Sequence, residues 1–201
     1  MSKITDSLPI TIVSGFILTI IMVFVGQHTI TGSLSMGPAV DVPMYVSFLD
    51  RWLHVISGVM WIGLLWYFNF VQIPVMPKVP DELKPGISKH IAPEALFWFR
   101  WGAMATIITG LLLALFSGYL FDALALRHGI GYGIWFGIIM WFNVWFIIWP
   151  SQKIALGMVD ADPAAKPKAA ARAKMFSRIN TLLSIPMLYA MLGQMHGGFD
   201  F

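Results

Sequence analysis

Five apolar runs, each as long as a helix that crosses a bilayer, leave this chain of 201 residues few ways to fold. They occupy residues 8–26, 45–75, 94–120, 131–149 and 176–196. About 20 helical residues cross roughly 30 Å of hydrocarbon, whereas barrel strands would show as short alternating segments. Only 11% of the residues are charged, too few to cover the surface of a water-soluble domain of this size. The sequence therefore predicts an all-α integral membrane bundle of five transmembrane helices, forming one domain over residues 1–201.

The basic residues set an orientation. Of the 13 lysines and arginines, all but Arg51 and Arg127 fall on the side that holds the N-terminus and the loops after the second and fourth runs. The positive-inside rule then puts the N-terminus in the cytoplasm and the C-terminus outside, in a multi-pass protein of a bacterial inner membrane. The same distribution explains the net charge of +3 without a nucleic-acid partner. Lys3 before the first run resembles a signal-peptide start, but the run is long and no small-x-small cleavage motif follows in "GQHTITGS", so it reads as an anchor. The outer loop "HTITGSLSMGPAVDVPM" reads as a surface connection. Pro93 and Glu94 suit the first turn of the third helix. The basic, alanine-rich residues 160–178 read either as a short helix on anionic lipid or as a solvated lead-in to the fifth span. Pro186 should kink that span unless neighbouring helices satisfy the freed carbonyl.

The chain has no cysteine, which excludes disulfides, iron-sulfur clusters and a covalently attached c-type haem. A metal here must be held by histidine, methionine or oxygen. His54 follows Asp50 and Arg51 and lies about 5 Å into the apolar run. His196 is about 27 Å of helix beyond Arg178, which brings it to the same outer face. A histidine inside a span is costly and is a functional candidate by default.

Arg51, His54, Gly58 and Trp61 follow spacings of three and four and so share one helix face. That face suits a porphyrin: an imidazole for iron, a missing side chain beside the ring, and a guanidinium nearer water for a propionate. Gly193, three residues before His196, gives the fifth helix a similar face. The alternative is that His54 makes an interhelical hydrogen bond and that Gly58 and Gly193 allow close helix packing. His28 and His128 lie in or beside loops and read as solvated, and His90 faces the cytoplasm. Met187, Met191 and Met195 at spacing four suit either a copper path or core packing. Asn143, Gln152, Asn180 and Ser184 are candidates for interhelical hydrogen bonds or for a quinone or substrate pocket.

The segments "RWLHVISGVMWIGLLWYFNFVQIP", "ALFWFRWGAMATIITGLLL", "NVWFIIWPSQKIALG" and "SRINTLLSIPMLYAMLGQMH" resemble, in order, the membrane domain of the bacterial cytochrome-c-linked urate oxidases (urate hydroxylases), the urate oxidase N-terminal family. In that resemblance His54 matches the histidine of the R-W-L-H segment, and His196 the histidine that closes N-T-x-x-S-x-P-M-L. It implies a redox role, with electrons leaving toward a cytochrome c on the outer side; without cysteine this chain carries no such cytochrome tail of its own. The pattern His54-x3-Gly58-x2-Trp61-x-Gly63 is also similar to the first helix of the haem-binding membrane protoporphyrinogen oxidase, over one helix only.

The reading that follows is a membrane-bound haem b redox protein, with metal ligands His54 and His196 and a cofactor shell of Arg51, Gly58, Gly193 and Trp61. Its expected partners are the lipid bilayer and a cytochrome c or other redox protein outside, within a larger respiratory complex or a homo-oligomer. Two further readings remain: a membrane oxidoreductase acting on urate or protoporphyrinogen, and a cofactor-free accessory subunit of a respiratory complex.

Overall fold

The computed structural model describes residues 7–31 and 42–193. Among these the chain is all-helical with no strand, as the apolar runs require. Contacts divide it into two compact units, Met1–Val46 and Ser47–Phe201. In the first, α1 (Leu8–Thr31) carries apolar residues on every side over Leu8–Val25.

The second unit is a helical bundle. Its elements are α2 (Val42–Trp66, of which Ser47 onward belongs here), α3 (Ala92–Phe116), the short α4 (Leu120–Leu124), α5 (Ile130–Phe142), α6 (Trp149–Ala155) and α7 (Ala165–Gly193). Three π-helical segments interrupt the regular winding: Tyr67–Gln72 after α2, Ile87–Ile91 before α3, and Asn143–Ile148 between α5 and α6. Four helical stretches among the described residues are long and apolar enough to cross a membrane: Leu8–Val25, Met44–Lys78, Lys84–Phe116 and Ile130–Ala155.

The start of the third stretch differs from the sequence expectation. The third stretch begins at Lys84, not at Glu94, because Pro85 occupies the first turn of the short helix Lys84–Gly86, where a missing N–H costs nothing. Pro93 and Glu94 stand in the first turn of α3, as expected, and the Glu94 carboxylate accepts a 3.0 Å bond from Trp98 Nε1. The basic segment before the fifth run is no separate helix: α7 is one 29-residue element that carries it as a lead-in and passes Pro186 without a break. Among the described residues α7 is not one of the four apolar stretches.

The core is where α2, α3, α5 and α7 meet. Trp61, Leu65, Phe99, Met140 and Val144 are almost completely enclosed. Small residues set the spacing, as is usual between membrane helices. A methyl on Gly102 would come within 3.3 Å of the α2 backbone at Trp61, and one on Gly133 within 3.1 Å of Ala190 Cβ. Gly58, expected to pack as closely, would place a methyl no nearer than 4.0 Å from Thr106 Cγ2.

Polar groups also join the helices. Ser177, Asn180 and Ser184 form a buried stripe on α7, at spacings of three and four. Ser184 Oγ accepts from Trp66 Nε1 at 3.0 Å, and Ser177 Oγ from Asn69 Nδ2 at 2.7 Å. Asn180 accepts from Asn143 Nδ2 at 2.8 Å and donates to the Met140 carbonyl at 2.9 Å. Replacing Asn180 by leucine strands the Asn143 amide in the core, and a loss of about 1–2 kcal/mol is expected in unfolding titrations. The double replacement Asn143→Leu/Asn180→Leu should lose less than the sum of the two single ones, since it removes both partners.

Candidate functional site

A cavity of about 480 Å³ opens between α2, α3, α5 and α7, within the range of small-molecule sites. Arg51, His54 and Trp61 from the expected α2 face line it. Spacings of three and four brought them to one side of α2, and the packing of α3 closed the space over them.

His54 is held in a defined state. Its Nδ1 lies 3.0 Å from the Thr106 carbonyl oxygen and 3.2 Å from Thr109 Oγ1. A carbonyl only accepts, and the Thr109 hydroxyl already donates to the Ala105 carbonyl at 2.7 Å. Nδ1 therefore carries the proton. In the neutral ring Nε2 is then the lone-pair nitrogen, and it has no hydrogen-bond partner among the described residues. An imidazole whose other nitrogen donates to a backbone carbonyl is the arrangement of a metal-ligating histidine.

Beside the imidazole itself the missing side chain is that of Gly110 on α3, which the sequence reading did not name. A methyl there would fall 2.7 Å from His54 Cε1 and 3.0 Å from Nδ1. At Gly58, by contrast, a methyl would reach only Thr106 Cγ2 at 4.0 Å, and Gly58 is not part of the cavity wall. Trp61 is 1% exposed and its buried indole N–H has no acceptor among the described residues. Arg51 is exposed at the rim and has no ion-pair partner among them. Met187 and Met191, taken from sequence as core or copper-path residues, lie on the α7 wall, and Tyr119 adds a phenol.

The Tyr119 position follows from the end of α3. Gly118, at φ +78°, closes the helix with bonds from its own N–H to the Leu115 carbonyl (3.0 Å) and from Tyr119 N–H to the Ala114 carbonyl (3.1 Å). This Schellman turn sends the chain back over the cavity.

The other histidines are elsewhere. His90 and His128 are exposed. The His28 side chain, Met195 and His196 lie outside the described residues; Gly193 is buried at the described end of α7 and is not in the cavity wall. No group of three or more histidine, aspartate or glutamate side chains suited to a metal ion occurs among the described residues. Thr106, Thr109 and Gly110 were missed in the sequence. Their signal was the polar-polar-glycine cluster in "TIITG", which only the packing of α3 on α2 turns toward His54.

Residues 125–199 match the model of the family described as Urate oxidase N-terminal, a similarity that covers less than half of the chain. No curated protein and no solved structure matches.

Proposed function

We propose that the chain is a five-span membrane protein that holds a b-type haem in the His54 cavity and carries electrons near the outer face. The observation that carries this reading is the His54 imidazole, fixed through Nδ1 on the Thr106 carbonyl with Nε2 left as the lone pair beside an apolar cavity. The donor set fits the group. His54 would supply the iron-binding nitrogen, Arg51 at the rim would pair with a propionate, Trp61 would pack against the group, and Gly110 leaves room for the imidazole. A haem bound there supplies one-electron transfer. Thr106 and Thr109 fix the imidazole plane, and the aliphatic walls from α3, α5 and α7 exclude water.

In this reading His196, three residues beyond Gly193 in the sequence, would be the second iron ligand. The N-terminus is cytoplasmic, and a cytochrome c or similar protein accepts electrons outside. The family similarity over residues 125–199 is to a domain described as Urate oxidase N-terminal. Because Met191 is on the wall, histidine-methionine ligation is the competing arrangement; it predicts a higher midpoint potential, lost in Met191→Leu and kept in His196→Ala.

The test is the absorption spectrum of the purified chain. Reduced b-type bands are expected in the wild type and should vanish in His54→Ala. A protein without such bands, or with bands indifferent to His54→Ala, would sink the proposal and favour the accessory-subunit reading. Urate-dependent or protoporphyrinogen-dependent reduction of an acceptor would move the protein to the enzymatic one.

A further inference from the structure

Arg100 is a cation within the apolar stretch Lys84–Phe116, and no anion meets it there. Among the described residues it has no carboxylate within ion-pair distance, and neither has Lys153. The one carboxylate of α3, Glu94, is engaged by Trp98 Nε1 instead. An arginine in a membrane stretch is costly unless it pairs or reaches the polar boundary, so this one calls for a partner.

The guanidinium is nevertheless held in place. Its Nε donates to the Leu96 carbonyl at 3.1 Å, and its Cζ stands 3.4 Å from the centre of the Trp149 ring and 5.8 Å from that of Trp145. Lys153, one helical turn beyond Trp149, brings its Nζ to 5.7 Å from the same ring. The two cations are therefore at most about 9 Å apart, close enough for one phosphate to pair with both. Stacking covers a face of the guanidinium and leaves its edge free. The two Nη groups on that edge have no acceptor among the described residues and are not enclosed.

Their position suits a bilayer boundary. Lys153 is two residues from the end of the stretch Ile130–Ala155, whose other end lines the His54 cavity through Ile130 and Ile134. Helix side chains tilt toward the N-terminus, so Arg100 leans along α3 toward the same end of the bundle, where its stretch begins at Lys84. Trp98 and Trp101 are about half exposed beside it, as indoles at headgroup level are, and Trp101 meets Trp145 edge to face at 5.6 Å.

We infer that Arg100, Lys153 and Trp149 form a site for the headgroup of an anionic phospholipid. The free guanidinium edge donates to the phosphate oxygens, Lys153 adds the second charge, and Trp101 gives the glycerol and upper acyl chain an aromatic surface. A zwitterionic lipid brings an ammonium to a place that holds two cations and no carboxylate, so it is the poorer ligand. The inference takes from the proposed function only that the bundle stands in a bilayer; the haem has no part in it.

The experiment is a lipid titration of the full chain in detergent, followed by native mass spectrometry, with dioleoyl phosphatidylglycerol and with dioleoyl phosphatidylcholine. Each cation near a membrane surface favours an anionic lipid about five-fold, so phosphatidylglycerol should bind at least about ten-fold more tightly. Lys153→Gln should lower that preference about five-fold, and Arg100→Gln/Lys153→Gln should remove it. Lys166→Gln/Lys168→Gln, which takes two charges from the exposed start of α7, should leave it unchanged. Equal binding of the two lipids, or an equal loss in the α7 variant, overturns the inference. So does displacement of the bound lipid by inorganic phosphate, which would make the ligand a soluble phosphate compound. The wild-type ratio and Lys153→Gln decide it even if the double variant fails to fold. Recovery of the chain from the soluble fraction would refuse the bilayer premise as well, whereas a membrane-bound chain without lipid preference refuses this inference alone.

Discussion

Gly131→Ala is expected to destabilise the protein by about 3 kcal/mol or more, the upper end of the overpacking range. A methyl built at this position falls 2.0 Å from the Ala123 carbonyl oxygen and 3.0 Å from its carbon. Those atoms are backbone, fixed within α4 by the bonds from Ala123 N–H to the Tyr119 carbonyl and from Leu126 N–H to the Ala123 carbonyl, both 2.9 Å. No rotamer change relieves the clash, so the α4–α5 hairpin must open. Tyr119 and Ile130, which flank that hairpin, both line the His54 cavity, and its shape should be lost along with stability. Gly137→Ala is the matched control, since its methyl would meet nothing closer than Ile107 Cδ1 at 3.7 Å. Unfolding titrations in detergent should separate the two variants clearly; equal behaviour would mean that the hairpin is not packed as described.

Much of the fold was legible because a bilayer-length apolar run has few alternatives to a helix. The α7 helix was read in part. Its apolar half and its polar residues Asn180 and Ser184 were visible as interruptions in the run, but whether Arg178 and the lysines before it formed a separate helix depended on Ala173 and Ser177, which turn out to be buried against the bundle. The π segments left no trace in the periodicity, because one extra residue per turn is too small a phase shift to read across six residues.

In the cavity, the stripe of Arg51, His54 and Trp61 could be found by counting, since all three lie on one helix. Gly58 fits the same count, yet the glycine that touches the imidazole is Gly110, on another helix. Spacing along one chain segment says which residues share a face; it says nothing of which residue across the interface meets them.

That distinction sets the second large expected effect, the separation of cofactor retention from stability in Gly110→Ala. The atoms that a new methyl would strike, His54 Cε1 at 2.7 Å and Nδ1 at 3.0 Å, belong to the end of a side chain, so the ring can swing aside and leave the backbone in place. The clash costs about 1 kcal/mol, and alanine returns a similar amount through its better helix propensity, so the cofactor-free protein should melt much as the wild type does. Swinging aside, however, pulls Nδ1 away from the Thr106 carbonyl and Thr109 Oγ1, the two contacts that orient the imidazole. Loss of such orienting partners lowers metal affinity about 10- to 100-fold, so the dissociation constant for the proposed haem should rise by that factor in Gly110→Ala and further in Gly110→Val, read in a titration of the cofactor-free protein. Thr109→Ala removes one contact and should fall between wild type and Gly110→Ala. If Gly110→Ala kept the wild-type dissociation constant and unchanged bands, the imidazole beside it could not be the group that holds the iron.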